Sequence, residues 1–310
     1  MKEKMFKSLD EQIQIFVERG LLISDYEFTR DIILRENYFF LTGYRHIFSD
    51  SNNSAMYIKG TTFEELYAVF NFDRYLRNII FKNILIFENN LKSILSYTVS
   101  KNHGYKENNY LNVKIFSRDH RKVKQINDLV KKMKRQITIN GRQHRATKHY
   151  LDNYGYIPLW IVVKVLSFGI TGELYMVLHT ADQEEIADLL NTTIENLESF
   201  LPILANYRNL CAHEDICFEN KTQKAIENTI YHEKLLISKT DGEYENGKHD
   251  LFALVIILKE VLNSEDFNMF IREVCYEIDR LEGKLNTIGI DKILDTMGFP
   301  DNYMEIVRMD

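Results

Sequence analysis

Residues 61–101 read TTFEELYAVFNFDRYLRNIIFKNILIFENNLKSILSYTVSK, and this stretch decides the fold. Apolar residues recur at the three-and-four spacing of an amphipathic helix, with no Gly or Pro to break it. Thr61 or Thr62 is placed to cap the start, and Glu64 or Glu65, three residues on, completes a capping box. The spacing predicts one helix running to about Lys101. Its buried stripe carries polar residues. With Arg77 at zero and about 100° per residue, Glu88 falls near 20° and Asp73 near −40°, on the face of Ile84, Leu91 and Leu95. A solvated face would not share that stripe. Asp73 and Arg77 are four apart and can pair; Glu88 needs a partner from elsewhere, and Arg208 is a candidate.

Helical periodicity continues outward in both directions. Residues 9–19 form a short amphipathic helix ending at Gly20, and Ser24 with Glu27 has the spacing of a second capping box. Residues 50–60 read as a loop with room for a short strand. Pro158 to Tyr175 reads as a buried helix, a turn at Phe168-Gly169 and another helix start, with Trp160 and its aliphatic neighbours as core. Thr192, with Glu195, caps a helix reaching at least Leu210. A polar loop, 241–250, precedes the final helices. Thirteen Gly and three Pro are few turn-formers for 310 residues, which disfavours a many-stranded sandwich or barrel. The expected fold is all-α, in three stretches of one continuous domain. These are an N-terminal helical region at 1–60, a helical core at 61–235 with a basic insertion at 102–155, and a C-terminal helical region at 236–310.

Charge is unevenly spread. The net of −6, from 45 acids and 39 bases, is too mild to mean disorder and argues against a surface that binds polyanions all over. Between Arg118 and Lys148 eleven bases face two acids, a net of +9, while from Glu214 onward 21 acids face 11 bases. Arg118, Arg121, Lys122, Lys131, Lys132, Lys134, Arg135, Arg142 and Arg145 are therefore candidate phosphate contacts; a solvated helix face is the other reading of such a run. Three cysteines without CxxC spacing provide neither a disulfide framework nor a zinc site, and a reducing cytoplasm is the expected home. The start, Met1-Lys2-Glu3-Lys4, lacks the pattern of a secretory leader. The longest apolar runs, 251–258 and 157–163, are too short to cross a bilayer.

Common catalytic signatures are missing: GxSxG, HExxH, a Walker loop, GxGxxG before a helix. No metal or cofactor is expected. One constellation stands out, Tyr207-Arg208-Asn209-Leu210-Cys211-Ala212-His213. An imidazole can take a proton from a ribose 2′-hydroxyl or give one to a leaving 5′-oxygen. A guanidinium can brace the phosphate between them. Arg208 falls about 40° from Leu204, inside the stripe of Leu197, Phe200, Leu201 and Cys211. It must be paired in the core or line a cleft. His213 lies about 140° round from Arg208. One unbroken helix cannot aim both at one phosphate. Either the helix loosens after Leu210, or the two side chains meet across a two-fold axis.

Several blocks in order resemble the Abi-like (abortive infection) proteins of bacteria, a family within the HEPN superfamily of helical ribonucleases. They are Leu41-Thr42-Gly43-Tyr44-Arg45; Phe72-Asp73-Arg74-Tyr75-Leu76-Arg77 with Glu88; Ile157-Pro158-Leu159-Trp160-Ile161 leading to Leu166-Ser167-Phe168-Gly169; Arg208-Asn209-Leu210-Cys211-Ala212-His213; and Met297-Gly298-Phe299-Pro300. The resemblance implies a HEPN-type helical bundle that forms a homodimer, with the Arg-x4-His motifs facing each other in one metal-independent endoribonuclease site. His213 is then the acid/base, Arg208 the phosphate clamp and Asn209 an orienting residue, with Glu88, Arg77 and Asp73 in support. It also implies RNA as substrate, a role in phage defence or as a toxin, and an antitoxin or regulatory RNA as a further partner. A non-catalytic RNA- or protein-binding module of the same superfamily is the alternative. Glu214 and Asp215 directly follow the histidine and repel phosphate. Gly43-Tyr44 and the Met297 block read as turns and packing, with base stacking as a second role for Tyr44.

Overall fold

The computed structural model describes residues 5–309; the charged start Met1–Lys4 and Asp310 lie outside the described residues. Ser8 opens α1 (Leu9–Glu18) with a capping box, its amide donating to the Glu11 carboxylate at 2.7 Å. The next helix, α2 (Tyr26–Glu36), is capped by Asp25 and not by Ser24 as expected. The Asp25 carboxylate accepts from the Phe28 amide at 2.9 Å, while the Ser24 hydroxyl donates to Glu64. Both are good capping types, so their adjacency hides which one acts. Asn37, at positive φ (67°), joins α2 to α3 (Tyr38–Thr42) and caps α3, its side chain accepting from the Phe39 amide at 2.9 Å.

The long helix predicted from 61–101 is α4 (Phe63–His103), 41 residues and about 60 Å at ~1.5 Å per residue. Thr62 caps it, exchanging two 3.2 Å hydrogen bonds with Glu65. The second Glu65 oxygen accepts from the Asn286 and Thr287 amides, each at 2.7 Å, tying the helix start to a turn near the C-terminus. The basic insertion is helical: α5 (Glu107–Tyr110), α6 (Val123–Asn140) and α7 (Arg145–Tyr154). Its longest member, α6, buries Ile126, Leu129, Val130 and Met133 and turns its lysines outward.

After α8 (Leu159–Val162) the chain turns at 163–167 and starts α9 (Phe168–Val177). Phe168-Gly169 is thus the first turn of a helix rather than the expected turn, because Ser167 caps it, accepting from the Ile170 amide. Trp160 corrects another expectation, being 44% exposed where a core residue was read. The short α8 buries Leu159 and Val162 and leaves the indole outside. Next come α10 (Thr180–Leu189) and α11 (Ile194–Ala212). Thr193, not Thr192, caps α11, accepting from the Asn196 amide.

The C-terminal third holds α12 (Ile230–Lys234), a ribbon of β1 (Lys239–Thr240) and β2 (Glu243–Tyr244), then α13 (Leu251–Val261), α14 (Ser264–Glu282) and α15 (Ile290–Met297). Asp241 and Gly242, both at positive φ, make the ribbon's turn where only loop was expected. The architecture is all-α. Helix α4 is the axis: α14 and α11 pack along it, with α10 and α8 against other parts of its surface. One apolar cluster runs from Ile13 to Ile306, and α13 is buried on nearly every side. Among the described residues no helix is long and apolar enough to cross a membrane.

Candidate functional site

The C-terminal end of α11 positions the Arg208–His213 motif. The helix does not loosen after Leu210: it stays regular to Ala212, and the His213 amide donates to the Asn209 carbonyl at 3.0 Å. It then stops sharply. The Asp215 amide reaches back to the Leu210 carbonyl and the Glu214 amide to that of Cys211, with Glu214 left-handed at φ 59°. That is a Schellman stop with glutamate at the position glycine usually fills, a conformation costing an L-residue roughly 1–2 kcal/mol.

The segment after the stop is held by a buried polar hub. The Asp73 carboxylate, fully buried in α4, accepts from the Tyr44 hydroxyl at 2.7 Å. It also accepts from the amides of Cys217 and Phe218, at 3.1 and 2.8 Å. Arg77 closes the set with an ion pair to Asp73, and also donates to the Tyr44 oxygen at 3.2 Å and the Asp215 carbonyl at 3.3 Å. Burial raises the Asp73 carboxyl above its ordinary range, against the pull of Arg77, Tyr44 and the two amides. Tyr44 is thus a structural member of the hub with 2% exposure, which removes the base-stacking role considered for it. Beside it Gly43 packs so closely on Ile216 that a Cβ there would meet the Ile216 Cδ1 at 2.9 Å.

These elements enclose a cleft of about 1020 Å³ between α2–α3 and the residues after α11. His213, Glu214 and Asp215 line one wall; Arg35, Arg74 and Arg77 and the ring of Phe40 contribute to the rest. Arg74 is engaged there by an ion pair with Glu36. His213 is exposed and so available to a ligand, and Asn209 is exposed as well.

Arg208 does not line that cleft. It points to Glu88 of α4, with Nε 3.7 Å from the carboxylate, and its guanidinium sits 5.6 Å from the centre of the Phe81 ring. The pairing with Glu88 read from the two helical wheels is therefore made. Its side chain is 30% exposed, so it lies at the edge of the stripe rather than sealed inside it. Sequence reasoning missed Lys92, which holds the other Glu88 oxygen at 2.6 Å, although its i+4 spacing signals the pair. The Arg208 Nε and the facing Glu88 oxygen are both buried without a hydrogen-bond partner. Within one chain the structure therefore gathers Asp73 and Arg77 behind the His213 segment, and Glu88 with Arg208. It does not bring Arg208 and His213 onto one ligand position.

The basic residues of 118–148 have divided fates. Arg121 pairs with Asp119, Lys132 with Glu173 at 2.6 Å and Lys131 with Asp128 at 3.8 Å, while Lys122 donates to the Met176 carbonyl. Arg118, Lys134, Arg135, Arg142 and Arg145 are exposed and make no ion pair among the described residues.

The fold and site define an all-helical protein whose polar residues converge on the joint between a long central helix and the end of α11. The model of the family described as Abi-like protein matches residues 31–219, more than half of the chain. The chain belongs to the Abi-like family. The matched span holds the cleft, the Asp73 hub and both pairs around Glu88. Comparison with curated proteins and with solved structures returned no match. Membership suggests a part in abortive infection, a form of phage defence.

Proposed function

We propose that the protein is a metal-independent endoribonuclease of HEPN type, acting in phage defence or as a toxin through a site shared by two copies of the chain. The observation carrying this reading is the unbroken end of α11, which turns Arg208 toward Glu88 while His213 opens into the cleft. A second copy supplies what a single chain keeps apart. In that arrangement one His213 imidazole takes the proton from a ribose 2′-hydroxyl, and the alkoxide attacks the adjacent phosphorus. The bond to the 5′-oxygen breaks, and that oxygen takes a proton from the other copy's imidazolium. The products are a 2′,3′-cyclic phosphate and a 5′-hydroxyl. Arg208, whose side chain is 30% exposed, braces the developing charge, and exposed Asn209 orients the linkage.

The chain is incubated with total RNA in EDTA, beside His213→Ala, and fragment ends are analysed. Cyclic-phosphate ends from wild type alone support the reading. Fragments that need a divalent ion, or equal cleavage by His213→Ala, refute it. One observation favours the non-catalytic alternative: Glu88 and Lys92 hold Arg208 inside a closed charge set. That module binds RNA without yielding any product.

A further inference from the structure

Six rings form a continuous path over α7, the α7–α8 link, the start of α8 and the link that follows α4, and none of them lines the His213 cleft. Tyr150 and Tyr154 lie 5.4 Å apart between ring centres, with His149 5.6 and 6.3 Å from them. Tyr154 continues to Tyr156 at 6.4 Å, Tyr156 to Tyr105 at 5.9 Å and Tyr105 to Trp160 at 5.4 Å. From Tyr150 to Trp160 successive planes are tilted by 34–54°. Tilted rings do not use up their faces on one another as a parallel stack would. Tyr154 is 58% exposed, Trp160 44% and Tyr105 38%, where packing alone would bury them.

The charge around the path is positive. Lys106 stands 4.6 Å over the Tyr156 ring. Arg145 and Lys148 project from the same helix as His149 and Tyr154, and Lys164 follows Trp160; all three are exposed and form no ion pair among the described residues. Asp152 is the one acid on α7. Aromatic faces at successive steps beside a cationic track are the two components of sequence-tolerant single-strand binding: rings for the bases, ammonium and guanidinium groups for the phosphates. A duplex hides its base faces and cannot use such a track.

We infer that the aromatic path from His149 to Trp160 is a binding track for single-stranded RNA, separate from the His213 cleft. The choice of RNA over DNA rests on the proposed ribonuclease activity; the track itself does not. It would hold several nucleotides of substrate while the cleft acts on a neighbouring linkage.

Trp160 is the chain's single tryptophan, so it reports directly on stacking. A His213→Ala protein, which keeps the RNA intact, is titrated with a 12-nucleotide oligouridylate and with a duplex of equal length at low salt. Saturable quenching by the single strand, little by the duplex, and a steep loss of affinity with added salt are expected. Tyr154→Ala weakens the single strand about tenfold, within the range measured for one base–aromatic stack, while Tyr154→Phe binds as the parent does. Trp160→Ala, followed by anisotropy of a labelled strand, gives a loss of similar size. Tyr154 and Trp160 are exposed enough to replace without unfolding the chain. A flat titration assigns the rings to some other partner and overturns the inference, as does unchanged affinity in both alanine variants. The two readings fail separately. Wild type that cleaves RNA without engaging Trp160 sinks the track alone, and a working track without cleavage in EDTA sinks the ribonuclease alone.

Discussion

Replacing Asp73 with asparagine is the most demanding test of the hub. The carboxylate takes hydrogen bonds from Tyr44, Arg77, Cys217 and Phe218 in a fully buried position. The amide keeps the size and one carbonyl oxygen, enough for the two backbone donors. It removes the charge that faces Arg77, whose side chain is 4% exposed. An orphaned buried cation typically costs about 3–5 kcal/mol. The expected loss is therefore ~4 kcal/mol, a large share of the roughly 5–15 kcal/mol that holds a domain folded. Urea denaturation measures it. Hydrogen exchange across 213–220 shows whether it falls on the segment that the hub holds. Adding Arg77→Met removes the stranded cation, so the double variant should recover part of the loss instead of doubling it. A single-variant loss under about 1 kcal/mol would refute the hub. So would a double variant whose cost is the sum of its parts.

Glu214→Gly relieves the left-handed stop after α11 and should stabilise the chain by roughly 0.5–1 kcal/mol once glycine's added unfolded-state freedom is subtracted; a destabilised variant in the same urea assay would contradict the strain. Gly298→Ala acts in the opposite direction: φ is +77° and the new Cβ would collide with the Asp250 carboxylate that caps α13. A cost above about 2 kcal/mol is expected, and an unchanged urea midpoint would show that α15 ends differently. The His46–Glu219 pair links the residues after α3 to the segment beyond the hub, and the Glu219 carboxylate raises the His46 pKa. A folded value above the unfolded one makes its contribution complete at pH below about 6.5 and lost as pH rises through the folded value. Wild type should therefore exceed His46→Gln in stability more at pH 5.5 than at pH 8.5, by an amount kept small by the exposure of the imidazole. An equal difference at both would refute the linkage.

Features carried by a long repeat of one period were legible before folding. The span of α4 is one, since forty residues of consistent spacing leave no other reading. The placement of Asp73, Arg77 and Glu88 on its apolar stripe is another, because charge on a buried face is conspicuous. The meeting of Glu88 with Arg208 followed from two such stripes needing each other. What was hidden depends on choices between neighbours or on distant partners. Ser24 beside Asp25, and Thr192 beside Thr193, offer two capping oxygens each, and periodicity cannot tell which will act. Trp160 sits in a run of aliphatic residues, but α8 has only four residues, too few for a period to show which side faces out. Nothing local to Tyr44 announces a hydrogen bond to a carboxylate 29 positions away. The Asp241-Gly242 pair is the common dipeptide of a tight hairpin turn, but strands of two residues each are too short to show an alternating pattern beside it.

Glu65 sets an order on how the molecule comes into being. One of its oxygens can close the α4 cap as soon as Thr62 and its neighbours exist, but the other waits for a turn more than two hundred residues downstream. Helix α14, which covers a long side of α4, is also made well after the 31–219 span. A growing polypeptide that has already emitted the whole 31–219 span still shows water an apolar flank and an unanswered carboxylate. The stretch bearing His213 is seated on a finished frame only once the chain through the 286–287 turn has emerged.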